Sequence, residues 1–300
     1  MDILPLEGGD LERARSFLLP YERFCIPLSA KLRAAALPAY AALDGGGAIC
    51  GLFTFSRAGQ LFHCLPLRKD SPRSALLEAF TRWFGAQVWQ EHAFFSFNGE
   101  AHGTDLLLQA LQAAGGPKPT RIQRYDFMRS AGRQSAGTGG KPAGSPLSGT
   151  ARPLKPLADG CKIIRCTPSL ADTLFPLQTA YEKEEVVFNL DSYSEDVSLL
   201  ALKKALREQA VYALFREGAP VAKGGTNAQG ERYVQLGGVY TVPGLRGRGY
   251  ARALVQRITA DFARQGKRTA LFVKPGNLPA QRLYASCGFE KYGIYETAYF

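Results

Sequence analysis

The sequence predicts an α/β fold in which a twisted, mixed β-sheet is flanked by helices, and it predicts that this unit occurs twice. Short apolar runs typical of strands alternate with longer segments whose apolar residues recur at helical spacing. The order of these elements in residues 1–129 recurs at similar spacing in residues 159–300, as in an internal duplication. A chain of 300 residues is long enough for two ordinary domains, each with its own core.

The first half begins with a short strand and an amphipathic helix that starts after Asp10, a favourable N-cap residue. We expect its further elements as strands at 40–43, 48–55, 60–65, 93–97 and 122–128 and helices at 74–84 and 105–111. The second half repeats this order, with strands at 162–165, 211–215, 221–222, 233–242, 270–273 and 292–299 and helices at 170–185, 194–209, 252–264 and 280–286.

Residues 130–158 separate the two halves. This segment is rich in Gly, Ser and Pro and contains neither an aromatic nor an acidic residue. Such a composition cannot bury enough apolar surface to order itself, so we predict a flexible linker.

The composition excludes several classes of protein. Hydrophobic residues make up 46% of the chain, yet no apolar run reaches the roughly 18 residues that span a bilayer. The N-terminus lacks the features of a signal peptide, so we expect a cytoplasmic location and no membrane partner. The six cysteines form no C-x-x-C pair and no zinc spacing, which predicts free thiols and no metal site. The net charge of +11 forms no basic stripe with interleaved aromatics, which argues against a nucleic-acid partner.

The most informative stretch, residues 235–255, combines a strand, a tight turn and the start of a helix. Gly247 and Gly249 allow left-handed backbone angles and the close approach of a ligand. The turn delivers unpaired N–H groups to a helix N-terminus, where phosphates bind, and Arg246 and Arg248 add positive charge. A dinucleotide loop is disfavoured because no third glycine follows at the required spacing. A purely structural turn is the remaining alternative.

This turn resembles a motif of the GNAT acyltransferase superfamily. Residues 246–251 match its signature of an arginine or glutamine, two residues, a glycine, one residue, and a glycine or alanine. Residues 277–284 are similar to a later block of the family, with its asparagine, alanine and tyrosine, and Gly288 and Phe289 close that block. The resemblance covers residues 160–300 and implies an acetyl-CoA-dependent transferase. Residues 65–73 contain two prolines and no glycine, so we interpret the first half as a degenerate GNAT-like domain; an unrelated α/β domain is the alternative.

The resemblance also implies a site for acetyl-CoA. Its expected members are Val239, Thr241, Val242, Arg246, Gly247, Arg248, Gly249, Tyr250, Ala251, Asn277, Ala280 and Tyr284. The turn would hold the pyrophosphate, the strand would pair with the pantetheine amides, and an N–H such as that of Val239 would bind the thioester carbonyl. Asn277 bonds the cofactor arm in the family; a helix cap is the alternative, and both can hold.

The catalytic groups are expected on two helices. Tyr284 occupies the position of the family's proton donor to the departing thiolate, and a buried packing tyrosine is the alternative. Many family members use a glutamate on the strand before the turn, where this chain has Gln235. Glu184 and Glu185 are therefore the candidate general bases; a water-mediated base and a solvated helix face are the alternatives.

The sequence thus predicts an acetyl-CoA-dependent N-acetyltransferase that acetylates an amine of a small molecule or peptide by direct attack in a ternary complex. Two other functions stay open: a non-catalytic CoA-binding or regulatory module, and a transferase on the same paired architecture that takes an aminoacyl group from tRNA. The acceptor, the general base and the oligomeric state are not specified by the sequence.

Overall fold

The computed structural model describes residues 1–34, 38–67, 71–88, 94–131, 160–187, 191 and 193–300, without the side chains of residues 87 and 88. Most of the predicted linker, residues 132–158, lies outside these ranges, as do residues 68–70 of the first half's proline-containing turn. The division of the chain at residues 129 and 159 stays a prediction.

The described strands form one mixed sheet that extends through both halves of the chain. They are β1 (Asp2–Pro5), β2 (Ala39–Leu43), β3 (Ile49–Phe55), β4 (Gln60–Cys64), β5 (Ser96–Glu100), β6 (Arg121–Ser130), β7 (Cys161–Arg165), β8 (Val211–Arg216), β9 (Ala219–Gln229), β10 (Tyr233–Thr241), β11 (Arg268–Val273) and β12 (Phe289–Tyr299). Their order across the sheet is β1-β2-β3-β4-β5-β12-β6-β11-β10-β9-β8-β7. The predicted mixed α/β fold is confirmed.

Helices cover the faces of this sheet. They are α1 (Leu11–Leu18), α2 (Ile26–Arg33), α3 (Arg73–Trp83), α4 (Ala101–Ala113), α5 (Ala171–Tyr181), α6 (Glu195–Glu208), α7 (Tyr250–Arg264) and α8 (Leu278–Ser286). In α7, for example, Leu254, Ile258 and Phe262 are buried against β10 and β11. No helix in the described part of the chain is long and apolar enough to cross a membrane.

The two halves exchange their last strands. β12, the last strand of the second half, lies between β5 and β6, and β6 of the first half pairs with β11. β6 and β12 are antiparallel and pair from Phe289 opposite Ser130 to Tyr299 opposite Arg121, with one register shift between Lys291 and Gly293. Each half therefore needs the other's last strand to complete its sheet, which the order of elements along the sequence does not predict.

A buried carboxylate fastens the halves together at a second place. Glu22, fully buried, accepts hydrogen bonds from the backbone N–H groups of Glu231 and Arg232 in the β9–β10 turn, the latter at 2.7 Å, and from the Ser29 hydroxyl. Arg33 of α2 donates to the Gly230 carbonyl at 2.8 Å. This contact ties the start of the first half to the hairpin whose second strand is β10.

Candidate functional site

The central feature of the site is an opening between two parallel strands. β10 and β11 pair only from Tyr233 with Arg268 to Leu236 with Leu271. Beyond Leu236, β10 continues to Thr241 while it keeps its pairing with β9 on the other side. The edge of β10 that faces the opening is therefore available to a ligand with amide groups.

A β-bulge lies at the mouth of this opening. Gly237 pairs with Gly225 and Tyr240 pairs with Lys223, so Gly238 and Val239 together oppose a single residue of β9. Gly238 has a φ of +60°, which favours glycine, and a side chain at Gly237 would collide with Asn227. This β-bulge redirects the strand beside the opening.

The predicted glycine turn connects β10 to α7. After a short 3₁₀ turn at Pro243–Leu245, Gly247 and Gly249 take φ values of +78° and +85°. A Cβ atom added at either glycine would meet nothing within 4 Å, so the surface above the turn is open. Gly249 is the N-cap of α7, and no side chain in the described part of the chain caps this helix. The first N–H groups of a 15-residue helix thus have no side-chain cap and lie at an open surface.

Arg248, Tyr250 and Val242, three of the predicted site residues in or next to the turn, have different environments. Arg248 is exposed. The side chain of Tyr250 is buried against Leu214 and Ala222, so only its backbone can contact a ligand in the turn. Val242, also predicted in the site, donates its N–H to the Val221 carbonyl at 3.1 Å.

Arg246 is bound by the protein itself. Its guanidinium donates two hydrogen bonds to the Glu184 carboxylate, at 2.7 and 2.8 Å, and one to the Thr241 carbonyl at 3.1 Å. The Tyr240 hydroxyl donates to the same carboxylate at 3.0 Å. These hydrogen bonds, that of Arg246 first, lower the pKa of Glu184. A carboxylate of lowered pKa is a weaker proton acceptor, which argues against Glu184 as the general base.

Glu185, the residue after Glu184, has a different ion-pair partner. Glu182–Val186 form a π-helical turn after α5, so the side chains of neighbouring glutamates diverge. The Glu185 carboxylate lies 3.6 Å from the ammonium of Lys274, which also donates to the Glu185 carbonyl at 2.8 Å. Glu185 and Lys274 both line a cavity that is described below.

Tyr284 borders the same cavity from α8. Its ring packs against Phe289, with 5.9 Å between ring centroids, and no residue in the described ranges hydrogen-bonds its hydroxyl. Enclosure by protein raises the pKa of this phenol, so it holds its proton at neutral pH. Asn277 caps α8, where its Oδ1 accepts from the Ala280 N–H at 3.1 Å, and both residues also line the cavity.

The cavity has a volume of about 850 Å³ and lies between the two halves. Gln60, Phe62 and Asn98 line it from the first half, and Gly238 and Tyr284 line it from the second. The exchanged strands β6 and β12 supply the surface between them, through Tyr125, Tyr295, Thr297 and Tyr299.

Two buried polar residues of the site are not predicted as functional from the sequence. Lys223 of β9 is 5% exposed; its ammonium donates to the Gly238 carbonyl at 3.2 Å and lies 4.2 Å from the centroid of the Tyr181 ring. Gln235 of β10 lines the cavity, and its buried Oε1 has no partner among the described residues. The strand predicted at 221–222 ends just before Lys223, whereas β9 extends from Ala219 to Gln229 and contains it.

Comparisons with known proteins agree with this geometry. Residues 175–289 match the model of the acetyltransferase (GNAT) family. No curated protein matches the chain. A GNAT-family acetyltransferase from Colwellia psychrerythraea is 13% identical, with a TM-score of 0.58 and full coverage of both chains. A Drosophila melanogaster protein is 12% identical, with a TM-score of 0.64 over 99% of this chain and 98% of that one. A tandem GNAT protein from the clavulanic acid biosynthesis pathway is 14% identical, with a TM-score of 0.52 over 99% and 98% of the chains.

Proposed function

From the premise that this chain carries a GNAT domain at residues 175–289 within a tandem GNAT fold, we propose that it is an acetyl-CoA-dependent N-acetyltransferase. The acceptor is an amine of a small molecule or peptide, which attacks the thioester directly in a ternary complex. One arrangement supports this proposal. The open edge of β10 and the phenol of Tyr284 border the same cavity, and the glycine turn, which no side chain caps in the described part of the chain, connects β10 to α7.

The residues present fit acetyl-CoA. The N–H groups from Gly247 to Ala251 would hold the pyrophosphate, because they are uncapped and lie under open space. The backbone of β10 from Gly237 to Thr241 would pair with the pantetheine amides. When bound, acetyl-CoA supplies an activated acetyl thioester. Arg246 contributes by holding the turn against Thr241 and Glu184.

Tyr284 holds the proton that the reaction returns to the thiolate. Its raised pKa keeps the phenol neutral, and its hydroxyl is not engaged by another residue in the described ranges. A neutral phenol beside a cavity can donate a proton without first breaking a hydrogen bond within the protein.

The acceptor amine must lose a proton before or during attack. Gln235 has no basicity, and Glu184 is held by Arg246. Glu185 is the remaining predicted carboxylate that faces the cavity, directly or through water. The absence of a carboxylate at Gln235 also favours the second candidate function, a CoA-binding module without turnover; acetyl-CoA hydrolysis by the wild-type protein would distinguish an enzyme from such a module.

The test of cofactor binding is calorimetry of the full-length protein with acetyl-CoA. Gly249→Val places a side chain over the turn, and a left-handed β-branched residue costs roughly 1–2 kcal/mol of stability. Gly266→Val is the matched control, because Gly266 has a φ of +74° and open surroundings just beyond the other end of α7.

We expect both variants to lose similar stability and only Gly249→Val to lose acetyl-CoA affinity, by tenfold or more, on the order of 1.4 kcal/mol. If wild-type protein does not bind acetyl-CoA, the proposed function is wrong. If Gly249→Val binds as well as Gly266→Val, the turn is only structural.

A further inference from the structure

Lys223, a buried lysine of β9, contacts the β-bulge of β10. The side chain of Lys223 is on the same face of the sheet as Tyr181, and its ammonium donates to the Gly238 carbonyl at 3.2 Å. A Cβ atom added at Gly238 would lie 3.2 Å from that ammonium. The ammonium of Lys223 therefore lies against the peptide group that joins Gly238 and Val239, the two residues of the bulge.

The geometry of a peptide bond connects this contact to the cavity. A trans peptide is planar, so its C=O and N–H point in opposite directions. The peptide whose carbonyl accepts from Lys223 is the one that joins Gly238 to Val239. Its N–H, which belongs to Val239, is therefore directed away from Lys223, and both residues of this peptide line the cavity.

We propose that Lys223 is a positioning residue that fixes and polarises the Gly238–Val239 peptide, so that the Val239 N–H is aimed at the carbonyl oxygen of a bound thioester. This inference rests on the proposed function. Gly238 has no side chain to restrict its own rotation, so the peptide plane needs an external contact to hold it. A charge-assisted hydrogen bond to the carbonyl is about twice as strong as a neutral one, and it also makes the N–H of the same amide a better donor.

The charge of Lys223 is set by its surroundings. Burial lowers the pKa of Lys223 to about 8, and the negative charge of Glu182 opposes that shift. Two further groups face the lysine: Tyr181, whose pKa burial raises to about 12, and Tyr240, which pairs with Lys223 across the strands and bonds Glu184. Lys223 is therefore the group of this cluster that changes charge near pH 8, and its contact with Gly238 weakens as the pH rises through that value.

The first test needs no ligand. Protein labelled with ¹⁵N-valine is titrated from pH 6 to pH 10 by NMR, with the Val239 amide assigned by its loss in Val239→Ala. We expect the Val239 amide shift to follow a transition near pH 8 that Lys223→Met abolishes. Lys162→Met, a substitution of an exposed lysine on β7, is the matched control and should leave the transition in place.

The second test uses acetyl-CoA carrying ¹³C in its thioester carbonyl. Infrared difference spectra should show a lowered carbonyl frequency in the wild-type protein and in Lys162→Met, and a smaller shift in Lys223→Met. Acetyl-CoA turnover by Lys223→Met should fall in kcat by about 10- to 100-fold with little change in KM, less than the 10²–10³-fold loss from removing an oxyanion donor outright.

Three outcomes are separable. Wild-type protein that does not bind acetyl-CoA overturns the proposed function, whereas the ligand-free NMR transition still reports on Lys223. If the Val239 amide does not respond to pH or to Lys223→Met, the inference about Lys223 is wrong. Wild-type carbonyl frequency and kcat in a folded Lys223→Met variant would also overturn it.

Discussion

Replacing Tyr284 by phenylalanine tests the proton donor while leaving the packing in place. The ring contact with Phe289 is retained, and no described residue loses a hydrogen-bond partner when the hydroxyl is removed. We therefore expect the melting temperature to change little, because no buried polar group is left unsatisfied.

The expected loss is in kcat. General acids contribute on the order of 10²–10⁴-fold, and a thiolate is a tolerable leaving group near neutral pH, so the lower end applies. A loss of about 10²-fold corresponds to roughly 2.7 kcal/mol of transition-state stabilisation. KM for acetyl-CoA should stay close to the wild-type value, since the hydroxyl is not part of the turn or of β10.

The assay is release of CoA thiol at saturating acetyl-CoA across pH 6 to 10, with an acceptor found by screening amines or with background hydrolysis. Because burial raises the pKa of Tyr284 above its ordinary value, a basic limb near pH 8 belongs to Lys223 and should persist in the variant at a lower rate. Tyr292→Phe, at an exposed position of β12, is the control. Wild-type turnover by Tyr284→Phe at every pH would leave Tyr284 as a packing residue.

Two further predictions concern the first half. Glu22→Gln should lower the free energy of unfolding by about 1.5–3 kcal/mol in urea denaturation, because the amide keeps one accepting oxygen and turns an NH2 donor toward the other backbone N–H; Glu12→Gln, at an exposed position, should change it little. An equal effect of the two substitutions would mean that the turn does not depend on Glu22. Phe62→Ala removes a cavity wall and should raise the KM for the acceptor about tenfold, on the order of 1.4 kcal/mol, while acetyl-CoA affinity measured by calorimetry stays unchanged. A changed affinity for acetyl-CoA with an unchanged KM for the acceptor would mean that Phe62 contacts acetyl-CoA and not the acceptor.

Much of the fold follows from local sequence signals. The strand, glycine turn and helix around Gly249 are where the sequence predicts them, because glycine alone tolerates the left-handed angles found there. The helix predicted at 170–185 ends earlier, at Tyr181, and continues as a π-helical turn. An apolar period of 3.6 residues cannot predict that change, and it is this turn that directs Glu184 to Arg246 and Glu185 to Lys274.

Contacts that depend on strand order could not be predicted. Lys223 lies just outside the strand predicted at 221–222, and its proposed role follows only from the bulge that brings it beside Gly238. The exchange of β6 and β12 could likewise not be predicted from the sequence, because the order of elements along the chain does not specify which strands are neighbours in the sheet.

The strand exchange gives the first half a function that does not require it to bind acetyl-CoA. β6 completes the sheet beside β11, and Tyr125 on β6 lines the same cavity as Tyr284 and Gly238. The last strand of the second half, β12, pairs with β5 of the first half, and its residues Tyr295 and Tyr299 line the same cavity. A change in the first half can therefore alter the cavity without contacting the turn at Gly249. Because neither half retains a complete sheet alone, activity and stability should be lost together when the chain is divided between them.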